Sequence, residues 1–410
     1  LTACVMAANG IKALLTDRPT PTPSISYAIK DRKFTGGVVI TASHNPARYN
    51  GIKYKAYYAG SAGPEITKEL EGYLDREVKS MPFDEAKKSG NLKTENIIPR
   101  HLAFVKKYVD INKLKSSCPK VLVDSMYGTG NDYIAMLLKG PRCKVDTIHG
   151  EINPGFGGIN PEPILPNLKE LADRTKREGY DIGIATDGDA DRLGIASPDG
   201  KLLTGHKVMA LLLLHLLEDR KMRGDVVQTI CGTVLINRIC EKYKLKMHET
   251  PVGFKYICDI MLKEDVVLGG EETGGVAFKG YIPERDGILS GLLILEMMVA
   301  RKKTLTRILK DIDKEYGTFE YRRLDARISP PEKRTAIMQY LKTNPPKEIL
   351  GVKVAEVKTT DGYKFICADS SWLMMRLSGT EPILRVYAEA SSEKKALKIL
   401  EFGKGIANSV

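Results

Sequence analysis

Three stretches of this 410-residue chain repeat the order strand, loop, helix, and that repetition constrains the fold more than any other feature. Such alternation is what parallel α/β units require. In the first stretch, GGVVITASHNP (36–46) leads through a hairpin-like YNGIKYKAYY (49–58) to a helix expected from Pro64 to about Val78. In the second, KVLVDSMYGTG (120–130) precedes helix 131–140, strand 144–150, helix 167–179 and strand YDIGIAT (180–186). The third runs through strand DVVQTI (225–230), helix 234–244, strand 246–250, helix 254–263 and strand DVVLGG (265–270).

The last ninety or so residues change character. Segments 352–368, 372–378 and 383–390 alternate apolar and polar residues like antiparallel strands, with Asp361-Gly362 as a hairpin turn and a closing helix that Ser392 caps. The expected fold is therefore α/β: three similar α/β domains with mixed sheets, over residues 1–97, 98–203 and 204–319, followed by a C-terminal α+β domain over 320–410.

Composition narrows the function classes. The longest apolar run, Met209 to Leu217, is interrupted by His215 and falls far short of the ~20 residues that cross a bilayer. The net charge of +12 is spread among nearly as many acids and has no aromatic-basic stripe, which speaks against nucleic acid and for small anions such as phosphates. Seven scattered cysteines without a C-x-x-C pair fit reduced thiols in a cytoplasmic protein rather than disulfides or zinc. The opening LTACVMAANG has no basic region of the secretory kind and no initiator Met.

Four loops carry chemistry. In ATDGDADRLG, Asp187, Asp189 and Asp191 alternate between two apolar strands, so three carboxylates can converge on one hard cation. An EF-hand needs Gly at the sixth position and Glu at the twelfth; Arg192 and Pro198 stand there instead. Three monodentate carboxylates leave coordination positions open, which suits catalytic Mg²⁺. In RLSGTEPILR, Arg376, Ser378, Gly379, Thr380 and Arg385 form a donor-rich stretch matched to phosphate oxygens. In GGEETGG, glycines flank Glu271, Glu272 and Thr273, acceptors suited to sugar hydroxyls. Finally, Ser43 stands in a turn with His44 beside it and Lys53 on the following strand; G-x-S-x-G is absent, and no hydrolase triad is marked. Beside a metal and an anion site, a phosphorylated Ser43 can pass its phosphoryl group to an incoming hydroxyl.

The order TASHNP, DGDADR, GEETGG, RLSGTEP resembles the α-D-phosphohexomutase family, which includes phosphoglucomutases, phosphomannomutases and phosphoglucosamine mutases. The resemblance implies a heart-shaped arrangement of four domains around a central cleft. It implies a phosphoserine at Ser43, with Mg²⁺ held by Ser43, Asp187, Asp189 and Asp191, and with His44, Lys53 and Arg192 at the reacting group. Glu271 and Thr273 would read sugar hydroxyls, and Thr273 stands where the family usually has Ser. Arg376, Ser378, Gly379, Thr380 and Arg385 would hold the phosphate that is not reacting, and Lys255 in ETPVGFK would touch substrate.

The implied reaction interconverts hexose 1-phosphate and hexose 6-phosphate, of glucose and/or mannose, with hexose 1,6-bisphosphate as intermediate and activator. The implied enzyme is a monomer or dimer without nucleic-acid or membrane partners. Family members carry a further segment before the position of Leu1, with a first strand and a glycine-arginine motif, so the first domain is expected to be N-terminally incomplete. The alternatives are a phosphoglucosamine mutase, a catalytically silent sugar-phosphate-binding homologue, and a phosphatase with a carboxylate nucleophile.

Overall fold

The computed structural model describes residues 1–74, 76–330, 332–378 and 383–409. It divides into two compact units, one of Leu1–Leu202 with Gly275–Lys302 and one of Leu203–Gly274 with Lys303–Val410.

In the first unit, β1 (Ala13–Thr16) pairs in parallel with a later strand, Leu92–Glu95, while β2 (Gly36–Ile40) and β3 (Ile52–Ala56) form an antiparallel hairpin. The hairpin register sets Lys53 opposite Val39, near the strand ends from which the Ser43 loop springs. With Leu92–Glu95 as β4, the second sheet consists of β5 (Val121–Asp124), β6 (Val145–Ile148), β7 (Ile182–Thr186) and β8 (Leu193–Ala196), in the order β6-β5-β7-β8. Its first three strands are parallel, and β8 runs antiparallel to β7, so the sheet is mixed.

Every residue of β7 and β8 is buried, which is why these strands read as continuous apolar runs rather than alternating ones. Helix Gly287–Arg301 packs on them; Asp286 caps it by accepting from Leu289 N at 2.9 Å. The β7–β8 turn is only six residues long, so it presents Asp187, Asp189 and Asp191 together at the sheet's end.

In the second unit, β9 (Asp225–Thr229) lies between β10 (Met247–Thr250) and β11 (Val266–Gly270), all parallel. The C-terminal sheet is antiparallel, in the spatial order Glu320–Arg327, Ile383–Ala390, Trp372–Leu377, Tyr363–Cys367, Val352–Lys358, Glu348–Ile349. Its core gathers Phe365, Leu373, Met375, Leu384 and Val386 under helix Glu393–Ser409, whose Ser392 Oγ accepts from Lys395 N.

The helix expected over 64–78 spans only Pro64–Glu71. None of its residues is buried and Gly72 follows it, so neither packing nor propensity carries it further. The run Met209–Leu217 is a buried helix ending in a π turn, and no helix among the described residues is long and apolar enough to cross a membrane. All seven cysteines are free thiols.

Candidate active site

The first unit brings Ser43, His44, Lys53, Asp187, Asp189, Asp191 and Arg192 together. Ser43 has φ +55°, a left-handed conformation that a serine adopts only where its surroundings hold it. Here Thr41 Oγ1 accepts from Ser43 N at 2.7 Å. The turn aims Ser43 Oγ at two of the aspartates, donating to Asp189 Oδ1 at 3.1 Å and lying 3.4 Å from Asp187 Oδ2. Gly188 makes this approach possible, since a Cβ there would stand 2.4 Å from the Ser43 carbonyl oxygen.

Ligand oxygens of the three aspartates lie within 4.8 Å of one another, and all three residues are buried. Asp187 Oδ1 accepts from Asp191 N at 2.9 Å and Arg192 N at 3.0 Å, which fixes the loop and leaves Oδ2 on the Ser43 side. Lys53 Nζ stands 3.3 Å from Asp189 Oδ2, and Thr22 Oγ1 donates to the same oxygen at 3.1 Å. Asp191 Oδ1 is buried without a hydrogen-bond partner among the described residues, a costly state for a carboxylate oxygen unless a cation meets it.

The electrostatics agree with that reading. Burial, reinforced by Asp191 and Asp189, raises the Asp187 carboxyl well above its ordinary value, and burial pushes Asp191 up to about 6 although Arg285 opposes it. For Asp189, burial pulls upward but Lys53, Arg285 and Arg192 outweigh it, so this carboxyl is held low. Three carboxylates this close do not all ionise easily without added positive charge. The donor set is all oxygen, as Mg²⁺ requires, and the residues present fit such an ion.

His44 Nδ1 is 3.5 Å from Ser43 Oγ, and its Nε2 is 4.0 Å from Glu162 Oε1. Burial, with Arg192 adding to it, pushes the imidazole down to about 3, so it is neutral at neutral pH. The Arg192 guanidinium lies 3.9 Å from Asp187 Oδ2 and 4.0 Å from Asp191 Oδ1, and its buried Nε makes no hydrogen bond among the described residues. Together, the hydroxyl, the buried acids and the cations define a phosphoryl-transfer type of site on an α/β frame.

The sequence pattern did not disclose segment 282–287, IPERDG. Glu284 forms a buried ion pair with Lys55, Arg285 Nη2 donates to Asp191 Oδ2 at 2.6 Å, and Asp286 Oδ2 meets His101 Nε2 at 2.9 Å. Gly287 N donates to Ala190 O at 3.0 Å. One short segment thus braces both the strand that bears Lys53 and the aspartate loop. Glu162, at 4.0 Å from both His44 and Arg192, is a second unforeseen neighbour. The available signal was three successive charges before an apolar helix, with Asp286 at the cap position.

The remaining candidates belong to the second unit. Glu271 is buried after β11, and buried Thr273 Oγ1 has no hydrogen-bond partner among the described residues. Glu272 instead accepts from Thr229 Oγ1 at 3.1 Å. Lys255 opens helix Phe254–Lys263 and lies over the Tyr256 ring. Arg376 and Arg385 are cross-strand partners; Arg376 Nε donates to Asp361 Oδ2 at 2.8 Å, and Asp325 stands across from Arg385 on its other side. Ser378 is buried just beyond Leu377, and its carbonyl accepts from Arg334 Nη2 at 2.7 Å. Gly379 and Thr380 lie outside the described residues.

Models of four successive domains of the phosphoglucomutase/phosphomannomutase family match this chain. They are α/β/α domain I over residues 1–81, domain II over 99–200, domain III over 204–316 and the C-terminal domain over 332–402. A phosphoglucomutase/phosphomannomutase of Thermococcus kodakarensis is 34% identical over 385 residues, covering 93% of this chain and 81% of the relative. A phosphoglucosamine/phosphogalactosamine mutase of Sulfurisphaera tokodaii is 32% identical, covering 92% and 81%. A crystal structure from Thermus thermophilus, described as a phosphomannomutase, superposes with a TM-score of 0.86 at 32% identity, covering 98% of this chain and 85% of that one. The chain belongs to the phosphoglucomutase/phosphomannomutase family, the α-D-phosphohexomutases, and is an enzyme of that isomerase class.

Proposed function

We propose that this enzyme interconverts the 1- and 6-phosphates of glucose and/or mannose by way of a phosphoserine at Ser43. The observation that carries the proposal is the Ser43 hydroxyl seated 3.1 Å and 3.4 Å from two carboxylates of a buried aspartate triad. In the first half-reaction a hexose hydroxyl oxygen attacks the phosphorus on Ser43. The P–Oγ bond breaks, Ser43 recovers its hydroxyl, and a hexose 1,6-bisphosphate results. The bisphosphate then turns, and Ser43 Oγ takes the other phosphoryl group.

His44 Nδ1 lies 3.5 Å from Ser43 Oγ, a place from which it can relay the proton of the attacking hydroxyl to the departing serine oxygen, although burial and Arg192 lower its basicity. Lys53 and Arg192 provide positive charge and orientation for the group in flight. Mg²⁺ held by Asp187, Asp189, Asp191 and the Ser43 side chain would supply further charge neutralisation. In the second unit, Glu271, Thr273 and Lys255 are assigned to the sugar, and Arg376, Ser378, Gly379, Thr380 and Arg385 to the phosphate that does not react.

The relative named phosphoglucosamine/phosphogalactosamine mutase favours a second reading, in which the sugar is an amino sugar. A panel of glucose, mannose and glucosamine phosphates decides between them. The mechanism itself is tested by peptide mapping of the purified protein before and after incubation with glucose 1,6-bisphosphate and Mg²⁺. Phosphate on the Ser43 peptide, discharged by a hexose monophosphate, is the expected result. Absence of phosphate there under both conditions overturns the phosphoserine route and favours a silent sugar-phosphate-binding protein.

A further inference from the structure

Asp361 sits in the turn between strands Val352–Lys358 and Tyr363–Cys367, and its type and position suggest nothing beyond a hairpin residue. Its surroundings in the second unit show more. Asp361 Oδ2 accepts from Arg376 Nε at 2.8 Å and from Val252 N at 3.0 Å. One carboxylate oxygen therefore joins a strand arginine to the middle of segment 249–255, which carries Lys255.

Two further contacts make this a built junction. Gly362 has φ +88°, and a Cβ there would stand 2.5 Å from Met375 O and 3.0 Å from Arg376 Cα, so the turn is pressed against the strand that bears Arg376. Lys358, just before the turn, donates to both oxygens of Glu249 at 3.1 Å and 3.2 Å. The hairpin thus grips the 249–255 segment at two points, through Glu249 and Val252.

We propose that Asp361 is a positioning residue for substrate binding, one that orients the Arg376 guanidinium and ties it to the loop of Lys255. The chemistry asks for such a group. Arg376 lies directly across from Arg385, which has Asp325 opposite it on the other side, so Asp361 is the carboxylate bonded to Arg376 itself and holds its guanidinium in place beside a second one. Asp361 occupies only Nε and leaves the terminal nitrogens of the fork for a phosphate. Because the same oxygen holds Val252 N, a shift of Arg376 is passed to the neighbouring loop. The proposal rests on the assignment of Arg376 to the phosphate that does not react.

The test is a double-mutant cycle of Asp361→Ala with Arg376→Ala, read as KM and kcat for glucose 1-phosphate, with thermal midpoints recorded for each variant. Asp361→Ala should raise KM about tenfold, the scale of one charged hydrogen bond, while kcat changes by less than about threefold. In the Arg376→Ala background the same replacement should raise KM by no more than about threefold, because only the contact with Val252 N is then left to lose. Asp361→Asn keeps an acceptor and suits the turn, so it should fall between wild type and alanine and serves if the alanine protein does not fold. An unchanged KM in Asp361→Ala, or equal effects in both backgrounds, overturns the proposal. If the wild type turns over no hexose phosphate, the mutase reading fails instead, and the same cycle is read as affinity for inorganic phosphate.

Discussion

Gly188→Ala is the perturbation whose effect the structure defines most sharply. The added methyl carbon would stand 2.4 Å from the Ser43 carbonyl oxygen and 3.1 Å and 3.3 Å from Pro161 Cγ and Cβ. Because the methyl is held between a backbone oxygen and a proline ring, it cannot be relieved by a side-chain rotation. Bringing the oxygen contact out to 3.0 Å needs a movement of at least about 0.6 Å in the Ser43 loop or the aspartate loop. The backbone at Gly188 lies outside the left-handed region, so the cost is steric rather than conformational. Overpacking of this kind costs about 1–3 kcal/mol, and an ångström-scale misplacement of reacting groups costs about 10²-fold in rate. The expected outcome is a kcat about 10²-fold lower with a modest fall in thermal midpoint, read by a coupled assay of glucose 6-phosphate formation. A kcat within threefold of wild type would show that the two loops are not held in the contact described here.

Further outcomes follow from other contacts. Asp189→Asn removes the carboxylate that meets Ser43, Thr22 and Lys53, and Mn²⁺ titration by electron paramagnetic resonance should show affinity falling by more than the about 10–100-fold typical of a lost supporting contact. Lys55→Met strands the buried Glu284 carboxylate and should destabilise by about 3–5 kcal/mol in urea unfolding, most of it regained when Glu284→Gln is added. The Asp124 carboxylate raises His149 above 6.5, so the charged imidazole contributes stability that is full below that value and is lost as pH rises through the raised one. Thermal midpoints of wild type minus His149→Gln should therefore shrink between about pH 6 and 9; a constant or growing difference would show that Asp124 does not hold a charged imidazole there.

The fold was legible where local chemistry repeats. Asp361-Gly362 lies in the hairpin turn, Ser392 caps the last helix, and the β–loop–α order forms parallel pairs in both units. The aspartate loop was legible because alternate acids between two apolar runs have few other uses. The bracing segment 282–287 was hidden because its partners, Lys55, Asp191 and His101, lie between 94 and 229 positions away in the chain, and spacing carries no trace of such contacts. Helix Gly287–Arg301 is apolar nearly all round, so it shows no amphipathic period to read. The overlong helix after Pro64 failed for the opposite reason: its pattern suggested a helix, but it has no surface to pack on beyond Glu71.

In the proposed mechanism every turnover passes through the Ser43 oxygen. The most direct test is single-turnover mixing of the ³²P-phosphorylated enzyme with unlabelled glucose 1-phosphate and Mg²⁺, with Ser43→Ala loaded in parallel. Label should leave the wild-type protein at a rate no slower than kcat and appear in hexose bisphosphate and then in glucose 6-phosphate, while Ser43→Ala takes up no label and shows no turnover. Turnover surviving in Ser43→Ala, or label leaving wild type only as inorganic phosphate, would contradict the account.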